Sequence, residues 1–194
     1  MNIPHTQKGI TLIETAVAVT ILVAAITGPM TLASQSLKAS RDARNELIAT
    51  HLAEEGIEIV HNIRDNNSAT DVTAQRTAWM NSITASCSLG CVIDPTDHST
   101  PVWGPNVLLA CPGGDCTSVK YLYYNPGTGL YKQNLSAPGA PWGATQFTRV
   151  ITVESVGPAL HQARVTAVVT YPGFGNIHTV TLTDDLYNWF PPLI

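Results

Sequence analysis

The sequence predicts an α+β chain in which a long N-terminal helix, half membrane-like and half amphipathic, packs on an antiparallel β-sheet domain. Three observations predict it. From Ile10 to Ala33 the chain runs 24 residues with a single charge, Glu14. From Ser36 to Asn67 apolar residues recur with a helical period. Beyond Val119 the chain turns to runs rich in Val, Ile and Thr, separated by Gly and Pro, which is the pattern of strands and tight turns.

As a helix the first stretch is about 36 Å long at roughly 1.5 Å per residue, enough to cross a hydrocarbon core of roughly 30 Å. A carboxylate near the start of such a span costs on the order of 3 kcal/mol on insertion scales, so Glu14 is a functional-site candidate in need of a partner. The competing reading is an ordinary single-pass anchor in which Glu14 snorkels to the headgroups. Residues 1–9, MNIPHTQKG, read as a leader in which Pro4 and Gly9 oppose helix. Gly28-Pro29 predicts a helix break, because proline lacks the N–H and clashes with the preceding turn, although membrane helices tolerate such residues. Further on, Leu37, Leu47, Ile48, Leu52, Ile57, Ile59, Val60 and Ile63 form an apolar stripe with charges on the other face, and Asn66-Asn67 marks a stop. A helix from Ile10 to Ile63 would be roughly 80 Å long, a length that suits the spine of a filament subunit better than a lone globular protein. The expected division is a leader over 1–9, a helix over 10–65 and a β-rich extracytoplasmic domain over 66–194.

Within that domain Ser68–Asn106 reads as irregular, with a short helix over residues 73–83, TAQRTAWMNSI. Val119–Asn125 and Leu130–Asn134 flank Pro126-Gly127-Thr128-Gly129 as a hairpin. Phe147–Val156, Gln162–Tyr171 and Ile177–Thr183 then form an antiparallel meander whose apolar face covers the outer half of the helix.

The four cysteines fall in two close pairs, Cys87 with Cys91 and Cys111 with Cys116. Two disulfides in an exported domain are expected, with all three connectivities open. A four-cysteine zinc site is the rival, but zinc knuckles usually space their cysteines by two residues, and here three and four intervene. The net charge of −4, made more negative by loss of Lys8 with the leader, gives no electrostatic footprint for nucleic acid. No nucleophile elbow, P-loop, paired-histidine zinc motif or dinucleotide fingerprint is present, so no catalytic residue and no cofactor is expected. His51, His61, His98, His161 and His178 are scattered, and Asp94 with Asp97 or Asp184 with Asp185 read first as solvated loop carboxylates and second as calcium ligands. Trp103, Tyr121, Tyr123, Tyr124, Tyr131 and Trp142 cluster in mid-domain; hairpin and core contacts account for most, and an exposed subset would suit a surface, a glycan or stacked bases.

The stretch Gly9-Ile10-Thr11-Leu12-Ile13-Glu14, behind a short leader with a basic residue, resembles the processing and assembly signal of type IV pilins and type II secretion pseudopilins. The resemblance implies a ladle-shaped pilin fold, cleavage after Gly9 by a prepilin peptidase, methylation of the new Ile10 amine, and a meeting of Glu14 with the N-terminus of a neighbouring subunit. It also implies loosening of the helix at Gly28 and Pro29 on assembly. The family more often has phenylalanine where Ile10 stands, a conservative departure. LAEEGIEIVHNIRDNN and the closing LTDDLYNWFPPLI are similar to segments of PilV-like minor pilins. The partners so implied are other pilin subunits, the prepilin peptidase, and the inner membrane with its assembly platform. The cytoplasmic N-terminus and extracytoplasmic domain rest on the leader and the cysteines, since Lys38, Arg41 and Arg44 compete with Lys8 under the positive-inside rule. The expected product is a structural subunit, not an enzyme, of a cell-surface or periplasmic filament. The alternative is a secreted or membrane-anchored disulfide-bonded binding domain with an ordinary signal sequence cut at Thr31-Leu32-Ala33.

Overall fold

The computed structural model describes residues 9–70, 79–96, 107–157 and 161–188. The chain divides into two compact units, Met1–Ala43 and Arg44–Ile194. The helix α1 (Leu12–Thr70) contributes its first part to one and its remainder to the other. In the first unit the helix is long and apolar enough to cross a membrane, and none of its apolar window is buried. Leu12 is 88% exposed, Ile21 64% and Leu22 61%, so no other described residue covers them. α1 continues through Gly28 and Pro29, where proline chemistry predicts a break. Proline still removes one N–H from the ladder, and close by the Thr31 hydroxyl donates to the Gly28 carbonyl at 2.8 Å.

The second unit is α+β, with the long helix packed on a seven-stranded antiparallel sheet. After α1 come α2 (Asn81–Cys87), β1 (Cys91–Ile93), β2 (Leu108–Ala110), β3 (Tyr121–Asn125), β4 (Leu130–Lys132), β5 (Gly143–Ser155), β6 (Gln162–Pro172) and β7 (Ile177–Tyr187). β5 is the hub. One of its edges carries β6 and then β7; the other carries β3 with β4 along its first half and β1 with β2 at Ile151. The expected hairpin and meander are present, the hairpin turn closed by Gly129 at φ 74° and by Asn125 Oδ1 accepting from the Gly127 N–H at 2.9 Å.

Several boundaries differ from expectation. α1 outlasts the predicted stop at Asn66-Asn67, because Asn66 Nδ2 donates to Asn62 Oδ1 at 2.8 Å and Asn67 Nδ2 to the Trp79 carbonyl at 3.2 Å. Side chains so engaged do not compete for the helix's own backbone. Of the short helix expected over 73–83, residues 73–78 fall outside the described residues; the described helix starts at Asn81 and runs on to Cys87. β1 and β2 occupy a stretch that reads as loop, since three-residue strands are too short to show a period.

Ala49, Leu52, Ala53, Gly56, Ile59, Val60 and Ile63 form the buried stripe of α1 at spacings of three and four, and Leu47 lies off it at 60% exposure. The stripe meets Phe147, Ile151 and Val153 of β5 and Val165 and Val169 of β6, each such aliphatic burial being worth about 2 kcal/mol. At Gly56 helix and sheet approach so closely that a Cβ would run into Ile151 Cδ1. Beside that contact lies a fully buried cation, Arg149. Its Nε donates to Gln133 Oε1 at 3.0 Å, one terminal nitrogen to the Leu52 carbonyl at 2.9 Å and Glu55 at 2.7 Å, and the other to the Ile93 carbonyl at 3.3 Å. Burial pushes the guanidinium below its ordinary value and Glu55 pulls it back. Gln133 Nε2 donates to the Lys120 and Arg149 carbonyls, both at 2.8 Å, so the cluster joins α1, β1, β5 and the chain after β4.

On the opposite face the register sets Thr148, Val150 and Thr152 of β5 beside Thr170, Val168 and Thr166 of β6, and these beside Thr179, Thr181 and Thr183 of β7. Such β-branched ladders stabilise exposed sheet faces.

Arg149→Leu should destabilise the domain by about 3 kcal/mol, because it takes the donor from Gln133 and from two buried carbonyls. Glu55→Gln, at a side chain 37% exposed, removes the counter-charge but keeps an acceptor, and should cost less, about 1 kcal/mol. Urea midpoints of the full chain in detergent, read by tryptophan fluorescence, check this; equal midpoints for the two variants would contradict it.

Candidate functional site

Gly9 and Ile10 precede α1 as exposed, irregular chain. The Thr11 carbonyl accepts from the Glu14 N–H at 3.1 Å and the Thr15 N–H at 3.2 Å, and Thr11 Oγ1 accepts from the Glu14 N–H at 3.4 Å. Thr11 is therefore the N-cap and Glu14 the third helical residue, the Thr-x-x-Glu spacing of a capping box. The helix dipole favours a carboxylate in that first turn. The N-cap role of Thr11 escaped the sequence reading, although the signal, a threonine three residues before the glutamate, was legible. A Cβ at Gly9 or at Gly28 would meet nothing within 4 Å, and neither glycine has a left-handed φ.

The cysteines are paired locally, Cys87 with Cys91 and Cys111 with Cys116, which selects one of the three connectivities and excludes thiolate ligation of zinc. The first bridge joins the end of α2 to the start of β1; the second closes a tight turn at Pro112–Gly114 after β2. The two loops lie side by side, since the Cys111 N–H donates to the Gly90 carbonyl at 3.0 Å and a Cβ at Gly90 would lie 2.8 Å from Cys116 Sγ. With Gly90 at φ 109°, only glycine fits there without strain. In the second loop Asp115 accepts from the Thr117 N–H at 2.9 Å, a bond that holds its carboxyl below the usual range.

Among the described residues no group of three or more His, Cys, Asp or Glu side chains could hold a metal. Asp184 and Asp185 do not converge: Asp184 meets His61 Nε2 at 2.8 Å, while Asp185 takes two bonds from Arg164 at 2.9 and 3.1 Å that hold its carboxyl low. Asp94 Oδ1 accepts from the Thr96 N–H at 3.0 Å and its hydroxyl at 2.6 Å; Asp97, His98 and Trp103 lie outside the described residues. His51 pairs with Glu54 at 2.9 Å, and His178 stacks on Tyr171 at 5.3 Å between ring centroids. Of the aromatic group, Tyr124 and Tyr131 pack together at 4.9 Å, and the Lys132 ammonium lies 4.4 Å from the Trp142 ring centroid. Compared with known proteins, the chain matches no family model, no curated sequence and no solved structure.

Labelling of the denatured, unreduced protein should find no free thiol among the four cysteines. Under graded reductant Cys111–Cys116, whose Cys116 is partly exposed, should open before Cys87–Cys91, both of whose residues are fully buried. Labelled thiols before reduction, or the reverse order, would contradict this.

Proposed function

We propose that the chain is a minor type IV pilin or pseudopilin. On this reading it is inserted through its apolar helix, cut after Gly9 by a prepilin peptidase and methylated on the Ile10 amine. It is then built with other pilin subunits into a thin filament from an inner-membrane assembly platform, with the disulfide-bonded domain outside the cytoplasm. The observation that carries the reading is the glycine directly before the Ile10–Glu14 run: among the described residues nothing lies within 4 Å of a Cβ added at Gly9, so packing against them gives no reason for a glycine there. An enzyme that must approach the scissile backbone supplies that reason. The exposed, irregular backbone at Gly9 and Ile10 supports the same step, and the two bridges suit an oxidising compartment. A conventional cut at Thr31-Leu32-Ala33 would fall within α1, where the backbone is already hydrogen-bonded.

Glu14 serves assembly on this reading. Capping favours its backbone position, but in hydrocarbon the carboxylate still lacks a counter-charge. The Ile10 amine of a staggered neighbour provides one, and the low dielectric strengthens an attraction that offsets both desolvation costs. The role is structural rather than catalytic.

Mass spectrometry of the mature protein should find methylated Ile10 at the N-terminus, and a start near Ser34 would contradict the reading. Gly9→Val should leave full-length, unassembled chain in the membrane; normal shortening of that variant removes the processing claim. Glu14→Leu should be inserted, cut and disulfide-bonded normally yet lose several-fold in filament incorporation against co-expressed wild type. Equal incorporation would show the pairing to be wrong.

A further inference from the structure

We infer that the outward face of the sheet around the β3–β4 hairpin binds an extended, uncharged polysaccharide. The inference concerns the domain alone and stands whether or not the N-terminal reading does. On β3, Leu122 is fully buried, so its neighbours Tyr121 and Tyr123 point away from the core, Tyr121 at 45% exposure. Lys132 stands opposite Tyr123 on β4, with its ammonium over Trp142. Three rings and one ammonium therefore occupy one face. Tyr121 stands beside Thr148, and from there the hydroxyl-bearing rows of β5, β6 and β7 continue the same surface. Core filling does not explain these rings, because the core already holds Trp79, Phe147 and Tyr171 on the other side of the sheet.

A sugar presents an apolar C–H face and a rim of hydroxyls. Flat aromatic rings match the first; phenol, ammonium and threonine hydroxyls match the second as donors and acceptors. Charge decides against the other occupants. The cations that register places on this face are Lys132, already over Trp142, and Arg164, closed on Asp185. Single-stranded nucleic acid needs a basic groove, and an anionic membrane surface needs several cations at the headgroups. A second copy is held mainly by an apolar interface core, whereas beyond the three rings this face is mostly threonine.

The full chain in detergent should be retained on at least one of microcrystalline cellulose, chitin and amylose resin. Trp142→Ala and Tyr121→Ala should each lower retention about five-fold, the size of one lost ring contact. Their urea midpoints should stay at the wild-type value, and Tyr121→Phe should restore most of the binding. Failure of wild type to bind all three polysaccharides, equal retention of the alanine variants, or preference for anionic vesicles or single-stranded DNA agarose overturns the inference.

Discussion

A guanidinium cut off from water, that of Arg149, holds the helix and sheet of the domain in one register. Apolar contact along the stripe of α1, through Ala49, Leu52, Ile59 and Ile63, is non-directional. Arg149 accepts one axial offset, since its donors must find the Leu52 carbonyl, Glu55, Gln133 and the Ile93 carbonyl together. Gly56 allows that arrangement by bringing the helix backbone against Ile151. Once β5 is fixed, its two edges fix the rest: β6 and β7 on one side, the hairpin and the β1–β2 pair with its two flanking disulfide loops on the other.

The fold class was legible because its signals repeat over many residues. The uncharged stretch, the three-and-four spacing of Leu52, Ile59, Val60 and Ile63, and the alternation in β5–β7 each sum weak preferences over ten or more positions. What escaped depends on single contacts. Alternation in β5 puts Arg149 on the face of Phe147 and Ile151, but nothing local shows how a buried guanidinium is satisfied there, because its partners lie 16 to 97 residues away. Asn66 and Asn67 look like a stop until their side chains find Asn62 and Trp79. The cysteine connectivity needed the side-by-side loops around Gly90, and the cap at Thr11 was visible but overshadowed by the charge of Glu14.

The two units set opposite problems for the same chain. In the domain, burial and two short disulfide loops act within a surface that water can solvate. The helix before Arg44 leaves an apolar surface that no other described residue covers, and its length and composition suit a membrane span. The proposed filament, in which lipid is exchanged for neighbouring helices, would account for such a segment and give its carboxylate a partner. The open surroundings of Gly9 fit the same proposal, since they locate the need for glycine outside the fold.

Recovery of the chain in sheared surface filaments tests this account most directly. Cells producing the epitope-tagged full chain are sheared, filaments are sedimented, and the tag is quantified in the filament and membrane fractions alongside the mass of its N-terminal peptide. The account predicts a trimmed form starting at Ile10 in the sedimented filaments, with the uncut form confined to the membrane. Absence of the chain from every sedimented filament, with all copies extracted from the membrane as monomers by mild detergent, would contradict it.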